Sequence, residues 1–103
     1  VMYLHIVMMK FDPAPDPAFI AQVQAHCQRV REECGGLVSY DFRTNEASRS
    51  DGLDYATVSL FTDAAAHDAY QVSAAHVAMK ADMLPRIQRL AVFDGTLESA
   101  LKQ

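Results

Sequence analysis

Met2-Tyr3-Leu4-His5-Ile6-Val7-Met8-Met9-Lys10-Phe11 is the stretch whose reading decides the fold. It is rich in apolar and branched side chains and is closed by Asp12-Pro13 and the Pro15-Asp16-Pro17 cluster, which marks it as a strand. Successive residues of a strand point to opposite faces. Leu4, Ile6 and Met8 therefore share one face, and His5, Val7, Met9 and Phe11 share the other. A sheet with one solvated face alternates apolar and polar residues, and this strand does not. Both of its faces need cover, and one of them carries a histidine.

Working outward, Asp16 has the chemistry of a helix N-cap, and Pro17 suits the first helical position because its missing donor costs nothing there. Phe19, Ile20, Val23, Cys27, Val30 and Cys34 recur at helical spacing, and Gly35-Gly36 stops the helix. A second strand is predicted over Leu37 to Thr44, where Val38, Tyr40 and Phe42 alternate with Ser39, Asp41 and Arg43. The polar run Asn45 to Gly52 has loop composition and is expected to be mobile. A third strand is predicted over Leu53 to Thr62, with Ala56, Val58 and Leu60 opposite Tyr55 and Phe61. Asp63 caps a helix through Ala64, Ala65 and Ala66 to about Val72, and Ser73 offers a break or a new cap. A further helix carries Val77, Met79, Lys80, Met83 and Leu84 until Pro85 kinks or ends it. Ile87 to Phe93 reads as the last strand, closed by Asp94-Gly95.

The order β-α-β-β-α-β is that of an α+β, ferredoxin-like domain with a four-stranded antiparallel sheet. Its length suits one domain over residues 1–103. Two helical segments cover one face of such a sheet. The third strand, like the first, is apolar on both faces, so the second face calls for another copy of the chain and predicts a homodimer.

Composition excludes several classes. With 13 acidic against 9 basic residues the formal charge is −4, and no basic stripe offers itself to nucleic acid. No apolar run approaches the ~20 residues of a membrane helix. The apolar start lacks the basic opening and cleavage site of a signal peptide. Cys27 and Cys34 lie ~10 Å apart along one helix, too far to bridge, and read as small core residues of a reducing, cytoplasmic setting.

Several segments resemble the stress-responsive A/B barrel domain family of the dimeric α+β barrel superfamily. Tyr3 to Phe11 is similar to that family's histidine-led first strand ending in Lys-Phe. Gly36-Leu37 is similar to its glycine-led entry to the second strand. Ala69-Tyr70-Gln71-Val72-Ser73-Ala74-Ala75-His76 resembles its Tyr-x-x-x-Pro-x-His pattern, without the proline, and Ala91-Val92-Phe93-Asp94 resembles its last strand. The resemblance implies a dimeric α+β barrel built from two ferredoxin-like subunits.

It also implies a pocket lined by His5, Tyr70 and His76 within each subunit. A plant cyclase of the family uses the matching tyrosine and second histidine for its chemistry, and has histidines where this chain has Ser73 and Tyr55. The residue types suit proton transfer: a histidine takes or returns a proton near neutral pH, and a phenol donates to a developing oxyanion. His76 is the expected base, Tyr70 the proton donor or oxyanion partner, and His5 the group on the opposite wall. Tyr55, which shares strand parity with Thr57 and Ser59, is expected to add a polar wall. Ser73, between Tyr70 and His76, and Met79 are expected to line the pocket and bind the substrate. His26 and His67 are expected on solvent faces. A metal held by His5 and His76 would need Asp54 or Asp94 as a third ligand, and no motif supplies one, so neither metal nor cofactor is expected.

Three functions fit these residues: a cofactor-free lyase, cyclase or isomerase acting on a small apolar or aromatic carbonyl compound; a protein that only binds such a molecule; or a stress-associated structural dimer. The cofactor-free monooxygenases of the superfamily are a further enzymatic option. A cavity of ~300–1,000 Å³ reaching His5 and His76 would favour the first two, and a filled interior the third.

Overall fold

The computed structural model describes residues 1–98. Its elements are β1 (Met2–Phe11), α1 (Pro17–Glu33), β2 (Leu37–Thr44), β3 (Tyr55–Phe61), α2 (Ala64–Gln71), α3 (Ala74–Met83), a 3₁₀ turn (Leu84–Arg86) and β4 (Ile87–Leu97). The four strands form one antiparallel sheet in the order β2-β3-β1-β4, the ferredoxin-like arrangement.

The helix ends follow from local chemistry. Asp16 accepts from the Phe19 amide at 2.8 Å, Asp63 from the Ala66 amide at 2.8 Å, and Ser73 from the His76 amide at 3.2 Å. Each side chain satisfies a donor that the first helical turn leaves unpaired. Gly36 takes φ +70° after α1, and a Cβ there would lie 2.6 Å from the Ala66 Cβ. The α1–β2 turn therefore passes directly beneath the start of α2, a path open only to glycine.

Two strand boundaries differ from expectation. The third strand begins at Tyr55, because Leu53 turns inward as a buried plug whose carbonyl accepts from the Asn45 side chain at 2.8 Å. The loop before it is tied across the sheet, with Asp51 at φ 54° accepting from Arg89. The last strand continues past Asp94-Gly95 to Leu97, pairing Asp94 with His5 and Gly95 with Leu4.

The two sheet faces differ in kind. On the helix side, Phe19, Val23, Cys27 and Val30 of α1 pack with Tyr40, Phe42, Phe61, Met9 and Phe11 of the sheet. Burial raises the Cys27 thiol pKa to about 11, so it is protonated and inert at neutral pH. On the other side, Leu4, Ile6 and Met8 lie opposite Leu60, Val58 and Ala56 in register, and Phe93 lies beside Ile6. This apolar band is bounded at β2 by Ser39, Asp41 and Arg43. No described element covers it, and Phe93 is 54% exposed. The helix layer also leaves β4 open on its inner face, where Leu90 is 42% and Val92 53% exposed. Among the described residues, no helix is long and apolar enough to cross a membrane.

Candidate active site

Where the helices leave β4 uncovered, a cavity of about 210 Å³ enters between sheet and helices. Its walls are largely apolar, with Val7, Met9, Met79, Met83, Ile87 and Leu90 among them. Its polar lining includes His5, Tyr70 and His76, so the three expected residues do share one cavity. The volume is smaller than the ~300–1,000 Å³ of drug-sized sites, which restricts the space to a small molecule.

Ser73 creates the bend that brings Tyr70 and His76 together. Its hydroxyl donates to the Tyr70 carbonyl at 2.7 Å while accepting the His76 amide, so α2 ends and α3 begins around a single side chain. The Tyr70 and His76 rings then lie with centroids 4.3 Å apart. Ser73 itself does not line the cavity; its part is to position its neighbours.

The protonation of His76 follows from its partner. Nδ1 lies 3.1 Å from the Gln71 carbonyl, which can only accept, so Nδ1 carries the hydrogen and a neutral ring keeps its lone pair on Nε2. Burial pushes the His76 pKa down; the Gln71 carbonyl opposes this, and Lys80, His5 and His67 reinforce it. The ring is thus a neutral base at pH 7.

Tyr70 does not stand alone. Its hydroxyl lies 2.7 Å from that of Tyr40, which in turn donates to the Met79 sulfur at 3.3 Å. Both phenols are buried, and burial is the main cause that pushes their pKa values up, keeping them protonated. Tyr40 is a site residue that the sequence reading left among alternating strand residues. Its strand parity with Phe42 gave the right face, but nothing along the chain linked position 40 to position 70.

The opposite wall holds His5, whose Nδ1 is hydrogen-bonded to Asp94 and whose backbone carbonyl accepts from Ser59 at 2.9 Å. The Tyr70 ring meets His5 edge-on at 5.9 Å. Asp94 reaches His5 because β4 extends past Phe93 in register.

Four expectations need correction. Tyr55 is not part of the cavity wall: it stacks on Phe42 at 5.6 Å and meets Phe11 edge-on, at the other end of the sheet. His67 is not solvent-facing. It is buried on α2 three residues before Tyr70, 4.5 Å from the His5 ring and 4.9 Å from the Tyr3 ring, and burial lowers its pKa. The alanines around it left the helix phase undetermined, which is why its face was misread. His26 is half-buried and bonds Asp82 at 3.0 Å, joining α1 to α3. Finally, the histidine that gathers with His5 and Asp94 is His67 rather than His76.

Fold and cavity together define a ferredoxin-like α+β domain carrying a histidine–tyrosine pocket between sheet and helices. The chain belongs to the stress responsive A/B barrel domain family, whose profile matches residues 4–97. Among curated proteins, none matches the sequence. Among solved structures, it is similar to a hydroxynitrile lyase from Passiflora edulis, with 16% identity, TM-score 0.82, and 96% of this chain and 95% of that one covered. A dimeric ferredoxin-like protein of unknown function from a Jannaschia species has 24% identity and TM-score 0.80, with coverage of 94% and 100%. A family member with a ferredoxin-like fold from Mesorhizobium loti has 17% identity and TM-score 0.77, with coverage of 95% and 98%.

Proposed function

We propose that this protein is a homodimer in which each subunit binds a small apolar or aromatic carbonyl compound and moves a proton on it, as a lyase, cyclase or isomerase does. The observation that carries this reading is the His76 ring, held by the Gln71 carbonyl with its basic nitrogen on Nε2 and packed against Tyr70 in the cavity. His76 takes a proton from the substrate's hydroxyl or from the carbon beside its carbonyl. Tyr70 hydrogen-bonds the oxygen on which negative charge develops. When the proton comes from the hydroxyl, that oxygen becomes the carbonyl as the neighbouring carbon–carbon bond breaks, and the departing carbanion takes the proton held on His76. When it comes from the carbon, the proton returns to the isomerised or cyclised product.

Tyr40 suits the second role. Its O–H donates to the weak thioether acceptor of Met79. With an oxygen of the substrate in place, that O–H turns to the Tyr70 oxygen and frees the Tyr70 proton for the substrate. Such a relay exchanges a weak hydrogen bond for a stronger one at the moment of binding. The Passiflora protein, a hydroxynitrile lyase of the same fold, makes a carbonyl-forming lyase reaction the first one to try.

The dimer reading rests on the uncovered band of Leu4, Ile6, Met8, Val58, Leu60 and Phe93, and the Jannaschia neighbour is described as dimeric. A bare apolar face of this kind is unusual on a soluble monomer. Pairing two sheets face to face buries it and closes the barrel.

The test is to incubate the protein with an aromatic hydroxynitrile and with a panel of small ketones and aldehydes in deuterated water. Release of aldehyde, or exchange of the hydrogen beside the carbonyl, is expected for at least one compound. His76→Ala should then lower kcat by ~10²–10⁴, the usual weight of a general base. Saturable binding with neither reaction would assign the cavity to binding alone, and no binding at all would leave the structural role.

A further inference from the structure

Beside the cavity, His5 and Asp94 of its lining meet His67 of α2, a constellation that the proton-transfer reading does not use as a whole. We propose that His5, His67 and Asp94 form a site for one divalent first-row transition-metal ion. One imidazole nitrogen from each histidine and one carboxylate oxygen all lie within 4.8 Å of one another. They come from three elements: β1, α2 and β4.

Two imidazoles and a carboxylate are a donor set suited to zinc, ferrous iron, cobalt or nickel. At metal–ligand bonds of about 2.0–2.2 Å, three such atoms stand roughly 3–3.5 Å apart. His5 and Asp94 are already in contact, so the site closes when the His67 ring moves toward them by about 1–2 Å, a side-chain adjustment.

The surroundings fit as well. His5 is 3% and His67 5% exposed, whereas the Asp94 side chain keeps a third of its surface open, which gives a hydrated ion a way in. The rings of Tyr3, Phe61 and Tyr70 pack on His67 and give the site a dry flank. The Gln71 carboxamide lies 2.9 Å from Nε2 of His67. With its oxygen turned to accept from Nε2–H, it is the outer hydrogen bond that ligating histidines keep. Three protein ligands leave coordination positions free, and since His5 and Asp94 line the cavity, those positions face it. When His5 binds the ion through Nδ1, its one hydrogen sits on Nε2, and Asp94 turns an oxygen from the ring to the metal.

This inference does not rest on the proton-transfer reading, and its test reads metal rather than turnover. The full chain, stripped with a chelator, is dialysed against Zn²⁺ or Co²⁺, and the bound ion is counted. One ion per chain is expected. His67→Phe, which keeps a ring among Tyr3 and Phe61, and Asp94→Asn should each weaken binding by about 10–100-fold or more, since even loss of an outer partner costs that much. His26→Ala, at a histidine remote from the cluster, should leave binding unchanged. Paramagnetic Co²⁺ should also broaden the amide signals of residues 5, 67 and 94 first in the unsubstituted protein, a readout that needs no variant. Failure to bind a stoichiometric ion, equal binding by His67→Phe and Asp94→Asn, or broadening centred elsewhere would overturn the proposal.

Discussion

Both faces of the sheet are largely apolar, but only the one under the helices also buries polar side chains. The face under the helices carries His5, Thr57, Ser59 and Tyr40, all buried, and adds His67, Tyr70 and His76 from the helices above it. The face without helices carries Leu4, Ile6, Met8, Val58, Leu60 and Phe93 at its centre. Polar groups are costly to bury and apolar ones costly to expose. No buried side-chain nitrogen or oxygen among the described residues lacks a hydrogen-bond partner, so the covered face meets its cost internally. Among the described residues nothing covers the open face, and in the proposed dimer a second copy does. In the proposed function the inner face holds a small molecule and the outer face meets the second copy.

The strongest way to break that contrast is to put a charge on the open face. Val58→Asp places a carboxylate opposite Ile6 and beside Asp41 in the β2 register. In a dimer, the buried unpaired charge costs several kcal/mol, and like charges on adjacent strands add to it. Sedimentation at micromolar concentration should change from twice the 11.4 kDa chain mass to the monomer or to unfolded chain. A Val58→Asp protein that remains a stable dimer would show that the open face is not the interface.

Next in size is Gly36→Ala, which tests the roof of the covered face. The new methyl meets the Ala66 Cβ at 2.6 Å in a positive-φ conformation, so α2 must shift or the turn must change. A loss of about 1–3 kcal/mol in denaturant unfolding is expected. Neutral behaviour would mean that α2 is not seated where His67 and Tyr70 need it.

Tyr40→Phe sharpens the comparison within the covered face. It removes the partner of the Tyr70 hydroxyl without changing ring volume, leaving a buried phenol to find another acceptor. The cost in stability should be about 1–2 kcal/mol. Any measured activity should fall through kcat rather than KM, because the relay matters as charge develops. Unchanged stability and kcat would reduce Tyr40 to a spectator.

The pH dependence is the smallest effect. Burial lowers the folded pKa of His76 below its ordinary 6.5, so between the two values the unfolded chain binds more protons than the folded one. The stability from keeping His76 neutral is complete above pH 6.5 and is lost as pH falls below it. His76→Phe should flatten the decline in unfolding midpoint between pH 7.5 and 5.5. An unaltered slope would place the proton uptake elsewhere.

Much of this was legible along the chain where side-chain chemistry acts locally. The β1 pattern, the Asp16, Asp63 and Ser73 caps and the Gly36 stop set most of the element boundaries, because each depends on neighbours within a few residues. Tyr70 and His76 were singled out by the family resemblance, and the Ser73 cap between them turns the chain so that both reach one cavity. The Asp94 partnership was not, since Asp94-Gly95 has the composition of a turn and only pairing with β1 draws it into a strand. Gly95 also leaves room for the Phe93 ring, which a Cβ there would meet at 3.0 Å. His67 was hidden by the alanines beside it, and Tyr55 was misplaced because strand parity fixes a face but not a position along it.

The proposed chemistry turns on one proton. Long-range ¹H–¹⁵N correlation of the histidine side chains at pH 7.5 reports which ring nitrogen of His76 carries hydrogen. A neutral ring with hydrogen on Nδ1 and the lone pair on Nε2 is the predicted result, because the Gln71 carbonyl fixes it. A neutral ring with hydrogen on Nε2, or an imidazolium at that pH, would leave the cavity without its base and contradict the proposal that it moves protons on a bound carbonyl compound.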